Sequence, residues 1–157
     1  MIYFHTILDA PGVAGANNFL SIFNPAGSGK AVVFLTAEVR PYAAAATSVA
    51  TSITAFRTTA ASGGTLIAAS DIHRFVTYWP DPVAVVRTGN PSVTTVGIPI
   101  NAFPPPVSSG AGVGSAGTSA APGVGAFTCL PGEGLVSTTS SGDTDQRWDI
   151  TLTWAEF

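Results

Sequence analysis

Trp148-Asp149-Ile150-Thr151-Leu152-Thr153-Trp154 alternates apolar and polar residues without a break. Strand side chains point to opposite faces in turn. Trp148, Ile150, Leu152 and Trp154 therefore share one face, and Asp149, Thr151 and Thr153 share the other. One buried face and one wetter face is the usual state of an antiparallel sheet that covers a core from one side. The surrounding stretch, Arg147 to Phe157, reads as the closing strand of an all-β fold.

Working back from that strand, the chain divides into short β segments separated by turn residues. Met1 to Leu8 reads as a strand. Phe19 to Phe23 alternates in part and ends at Asn24-Pro25. Ala31 to Arg40 is rich in β-branched and aromatic residues and stops at Pro41. Ser48 to Thr59 precedes Ser62-Gly63-Gly64, and Thr65 to Ala69 is a further short run. Phe75 to Trp79 ends at Pro80, and Val83 to Arg87 ends at Gly89-Asn90-Pro91. Val93 to Ile100, Val124 to Leu130 and Gly134 to Thr139 complete the set. Many short strands at even spacing, with Gly, Pro, Asn and Asp between them, mark a sandwich or barrel. Only Ala43 to Ala46 has high helix propensity, and it allows one turn at most.

The expectation is one domain over residues 1–157: an antiparallel β-sandwich of about eight to ten strands. Residues 103–125 differ in composition. Pro104-Pro105-Pro106 opens the segment, and Ser, Gly, Ala and Pro then dominate with no hydrophobic period. It reads as a long Gly/Ser/Pro/Ala-rich loop or arm within the domain, since too few strands follow it to fold alone. Loops of that length are usually functional or mobile, and a neighbouring subunit would order this one. Resistance of the segment to protease in an assembled particle checks that expectation.

Composition narrows the function. Apolar residues make up 46% of the 157-residue chain and charged residues only 10%, against roughly 25% charged in ordinary soluble domains. The surface must be built from Ser, Thr, Gly, Ala and Asn. Such a surface has little charge repulsion and suits permanent subunit contacts. Net charge is −3 and Lys30 is the only lysine, so no basic cluster exists to neutralise phosphates and no nucleic-acid partner is expected. The strongest apolar run, Ala31 to Leu35, is far short of the roughly 20 residues of a membrane span. No membrane partner and no cleaved leader are expected. Cys129 is the sole cysteine; it sits in an apolar run and reads as buried and inert.

Chemical motifs are sparse. Ala26-Gly27-Ser28-Gly29-Lys30 looks like part of a phosphate-binding loop. Yet Asn24 stands at the first glycine position, Ala31 replaces the metal-binding hydroxyl, and β runs lie on both sides. It reads as a strand-to-strand turn. His5 and His73 are the only histidines and, with one cysteine, cannot form a zinc cluster. Asp71 and His73 would share a strand face, but no activated serine accompanies them. Asp143-Thr144-Asp145, with Asp149 nearby, could bind calcium through oxygen, though turn chemistry accounts for Gly142-Asp143. Trp79, Trp154, Tyr78 and Tyr42 are read as core packing ahead of a sugar-stacking platform. No catalytic, cofactor-binding or metal residue is assigned, and no cofactor and no enzyme activity are expected.

Asn18-Phe19-Leu20-Ser21-Ile22-Phe23-Asn24-Pro25-Ala26-Gly27-Ser28-Gly29-Lys30, then Leu130-Pro131-Gly132-Glu133-Gly134-Leu135, then Thr153-Trp154-Ala155-Glu156-Phe157 occur in that order. Together they resemble small tailed-bacteriophage virion proteins: a strand, an Asn-Pro-x-Gly-Ser-Gly-Lys turn, a Pro-Gly-Glu-Gly turn and a Trp-rich closing strand. The segments cover about a third of the chain; Pro41 to Val124 carries none of the likeness. The resemblance implies a capsid decoration (cement) protein with a jelly-roll fold. Its partners would be the major capsid protein and copies of itself in a homotrimer. Its place would be the outer surface of a virion assembled in the host cytoplasm. The rival reading is a tail, fibre or receptor-binding module that binds carbohydrate.

Overall fold

The computed structural model describes residues 1–11, 15–43, 52–103, 118–120, 127–141 and 147–157. Among them are twelve strands. They are β1 (Ile2–Pro11), β2 (Gly15–Phe23), β3 (Val32–Ala43), β4 (Ser52–Ser62), β5 (Thr65–Leu66) and β6 (His73–Arg74). They continue with β7 (Val85–Thr88), β8 (Ser92–Phe103), β9 (Thr118–Ala120), β10 (Thr128–Cys129), β11 (Gly134–Ser141) and β12 (Arg147–Glu156). A single 3-10 turn, Ala69–Asp71, precedes β6.

The strands form two antiparallel sheets that pack against each other. The first has the order β10-β3-β12-β1-β6, with β9 also on β3; the second has the order β5-β7-β2-β11-β4-β8. Four pairings are nested: β1 with β12, β2 with β11, β3 with β10, and β4 with β8. Members of successive pairs alternate between the sheets. The chain is thus wound like one long antiparallel hairpin rolled on itself, closed by β12 on β3 and β11 on β4. Two four-stranded sheets related in this way are the plan of a jelly roll. The expected antiparallel sandwich is the fold observed.

The core lies between the sheets. Leu20, Ile22 and Val86 come from the second sheet, and Tyr3, Val32, Phe34, Leu152 and Trp154 from the first. Full burial of each aliphatic side chain stabilises by roughly 1.5–3 kcal/mol relative to exposure. The alternation read in β12 holds where its side chains are described. Leu152 and Trp154 are buried, while Asp149, Thr151 and Thr153 are half-buried. The side chains of Trp148 and Ile150 lie outside the described ones.

Several expected elements differ from those found. β3 does not stop at Pro41 but runs on to Ala43. A register shift beside Arg147 and Trp148 lets the strand pass the proline, which has no N–H for the ladder. Phe75 to Trp79 is not a strand; β6 ends at Arg74. Trp79 N–H donates to the Val76 carbonyl at 3.1 Å, closing a turn. The Arg74 guanidinium donates to the Trp79 carbonyl at 2.6 Å and pairs with Asp81, which bends the segment into a loop. Within 103–125, β8 reaches Phe103 and Thr118–Ala120 pairs with Val39–Ala37 of β3. That short edge strand was not expected, because three small residues show no period. The remainder of that segment, the Ala44–Ala46 turn, and Asp143 and Asp145 lie outside the described residues.

Candidate interaction surface

The two turns that carry the resemblance meet at one end of the sandwich. Asn24, at the end of β2, is buried. Its side-chain amide donates to the Lys30 carbonyl at 2.8 Å and to the Cys129 carbonyl at 3.0 Å. Its backbone N–H donates to the Glu133 carbonyl, and its carbonyl accepts from Gly132 N–H, both at 2.8 Å. One asparagine thus clamps the Pro25–Lys30 turn to the Leu130–Glu133 turn. Ser28 N–H donates to the Pro25 carbonyl, and Gly29 takes the left-handed φ of 64° that closes the first turn. This turn crosses from the second sheet to the first and leads into a strand, as the reading of Ala26 to Lys30 required.

Glu133 caps its own turn. Its carboxylate accepts from Leu130 N–H at 2.9 Å and lies 3.6 Å from Arg57. Arg57 also donates to the Thr128 carbonyl at 3.2 Å. Gly134 follows and cannot carry a side chain. A Cβ there would lie 2.7 Å from the Ile22 carbonyl, 2.8 Å from the Phe23 ring and 2.9 Å from the Thr58 hydroxyl.

A second polar hub was not foreseen. Glu156 is buried beneath Trp154. Its carboxylate accepts from Val83 N–H and Ala84 N–H, each at 3.0 Å, and from the Trp154 indole N–H at 3.2 Å. Tyr3 stacks on Trp154 with 6.0 Å between ring centroids and donates its hydroxyl to the Pro80 carbonyl at 3.1 Å. Burial, and then the Glu156 charge, push the Tyr3 phenol above its ordinary range. The signal was present in the sequence. Carrying the 152, 154 alternation forward two residues puts Glu156 on the inner face, where a carboxylate must find donors.

The hub pins residues 80–84 and so the loop before them. That loop leaves Tyr78 84% exposed and Phe75 62% exposed. Phe75 stands edge-on to Phe4, which stacks on His73 at 4.9 Å. The four aromatics grouped in the sequence analysis therefore separate. Trp154 is core, Trp79 packs edge-on against Tyr3, Tyr78 faces solvent, and Tyr42's side chain lies outside the described ones. His5 and His73 are not brought together as a site. His5 Nδ1 lies 3.2 Å from the Asp71 carbonyl, while His73 serves the aromatic stack. Asp149 is half-buried on β12. Among the described residues no three His, Cys, Asp or Glu side chains converge to hold a metal.

The outer face of the first sheet is apolar or hydroxyl-bearing at its Phe157 end and carries charge further along. Register sets its rows. Val33, Ala155 and Ile2 form one; Thr36, Thr153, Phe4 and His73 form the next; Glu38, Thr151 and Thr6 form a third. Thr6 and Thr151 hydroxyls meet at 3.0 Å across the strands. Beyond the first row, Ala31 and Phe157 exchange backbone hydrogen bonds at 3.2 and 3.1 Å. Leu130 follows Cys129, which faces Val32. Phe157 is 72% exposed and Leu130 56%. Charge enters with Glu38, and the next row pairs Arg40 with Asp149.

Cys129 lies under this face, on the core side. It is buried, and desolvation pushes its thiol up to about 11. Comparison with protein-family models, with curated proteins and with solved structures found no match.

Proposed function

We propose that this chain is a structural virion protein that decorates the outside of a phage capsid. In this reading it clamps neighbouring major-capsid subunits, assembles as a homotrimer and carries out no catalysis. Jelly rolls host many unrelated functions, so the weight rests on a narrower observation. The Pro25–Lys30 and Leu130–Glu133 turns, far apart in sequence, are locked together by Asn24. Both belong to the resemblance to tailed-phage decoration proteins. They end beside exposed Leu130 and Phe157. A shell clamp needs many repeated modest contacts rather than one strong site, because avidity multiplies them.

The rival is a tail, fibre or receptor-binding module. Exposed Tyr78 and Phe75, on a loop held by Arg74 and Glu156, are what favours it, since rigid aromatic rings stack on sugars and anchor partners. Mixing purified protein with undecorated phage heads and imaging by cryo-electron microscopy separates the two. Decoration gives regular density at three-fold or quasi-three-fold positions. Bare heads, together with glycan binding lost in Tyr78→Ala, would move the assignment to the rival.

A further inference from the structure

We propose that the open edge of β8, over residues 92–96, pairs with the same edge of a second copy of this chain. The two strands run antiparallel about a two-fold axis and join two copies of the second sheet into one. The inference rests on the reading above only for the expectation that copies associate. Its two-fold contact is separate from the three-fold one proposed there.

β8 ends the second sheet. β4 lies on one side of it, and among the described residues no strand lies on the other. Alternate residues of an antiparallel strand turn both N–H and C=O away from the paired neighbour. Another strand satisfies those groups, so the edge itself specifies an extended backbone as its partner. Proteins guard such edges with short strands, charge, proline or bulges, and this chain guards its others. β5, β6, β9 and β10 are two or three residues long. The stretches of β1, β2 and β4 open on one side each contain a register shift, and that of β3 carries Arg40 and Pro41. β8 has such a guard further along. Gly97, at a φ of 77°, opens a bulge that runs through Pro99, between Val96 opposite Arg57 and Asn101 opposite Ala55. Residues 92–96 have none. Each pairs with β4 in turn, Ser92, Thr94, Thr95 and Val96 are exposed, and none is charged.

A second copy fits this stretch. Pairing centred on Thr94 sets Val93 opposite Thr95 and Ser92 opposite Val96, and β-branched side chains suit strand neighbours. The net charge of −3 does not oppose it, because no like charges meet across the axis. Two-fold pairing closes both open edges at once, whereas a foreign strand brings a further edge of its own.

Sedimentation velocity on the full chain across a concentration series, with amide hydrogen exchange at both ends of the series, tests this. Mass should double at a concentration-dependent step. Amides within residues 92–96 that exchange fast before that step should slow at least about tenfold after it. Thr94→Lys and Thr94→Glu each set like charges face to face across the axis, and each should weaken the step at least about tenfold. An equimolar mixture of the two variants should restore it, because Lys then meets Glu. Thr77→Lys makes the same charge change on an exposed loop and should leave the step unchanged. A chain that shows no doubling at high micromolar concentration would overturn the proposal. So would single variants that double as well as the parent, a mixture that fails to restore the step, or amides already slow before it. Decoration of heads by a chain that does not double would sink this inference alone. Bare heads with edge pairing intact would instead count against the capsid reading alone.

Discussion

On the inward side of β12, Leu152, Trp154 and Glu156 are buried. On the outward side, Thr151 and Thr153 stay half-wet and Phe157 is largely bare. One strand thus serves two purposes. Its inner face holds the sandwich together and fixes the 80–84 segment through a carboxylate. Its outer face is less buried, Ala155 excepted. Stability should therefore follow the inner positions rather than the outer ones.

The largest effect should come from the inner hub. Glu156→Ala leaves the Val83, Ala84 and Trp154 N–H donors without an acceptor in a buried place, which should cost about 3–5 kcal/mol by urea unfolding. Glu156→Gln keeps one acceptor oxygen but sets an amide against N–H donors, so it should cost less than the alanine but well above zero. If neither variant shifts the midpoint, the hub is not what holds this region.

Next in size is the clamp between the turns. Asn24→Ala removes the side-chain donor to the Cys129 carbonyl and leaves the Lys30 carbonyl only the longer bond from the Ser28 hydroxyl, for about 2 kcal/mol. Gly134→Ala forces a methyl against the Ile22 carbonyl and the Phe23 ring, and should cost about 1–3 kcal/mol. Both belong to the inner set and should leave the association constant unchanged in protein that is folded.

Cys129 gives a smaller, pH-dependent effect. Its folded value of about 11 lies above the ordinary 9.0, so its contribution is fully present below about pH 9. It is lost as pH rises towards about 11, where the unfolded chain alone has released the proton. The loss should approach roughly 2 kcal/mol at the top of that window. Stability measured from pH 8 to 11 should fall less in Cys129→Ala than in the parent chain. Below the window, the native thiol should resist alkylation.

The smallest change belongs to the outer face. Phe157→Ser and Leu130→Ser should alter unfolding free energy by no more than about 0.5 kcal/mol, because both side chains are mostly exposed. A large loss in either would place these residues in the core and erase the contrast between the two faces.

Much of this architecture was legible in the sequence because strand alternation is a strict code. Trp148 to Trp154 announced an inner and an outer face, and turn residues marked most strand ends. The code fails where the backbone departs from it. Between Phe34 and Thr36, a register shift leaves Leu35 as an extra residue, so Val33-Phe34-Leu35-Thr36 cannot be assigned by counting twos. Phe75 to Trp79 has strand composition, yet Arg74 draws it into a loop through contacts that only the tertiary fold supplies. Asn24 was visible as a turn residue, but its hold on Cys129, 105 positions away, was not.

The most direct test of the central claim uses expanded, undecorated heads and the purified chain. The temperature at which such heads release their DNA should rise as protein is added and level off at a fixed number of copies per shell. It should not rise with a chain carrying Leu130→Asp and Phe157→Asp. A release temperature unmoved by saturating protein would contradict a role in clamping the capsid.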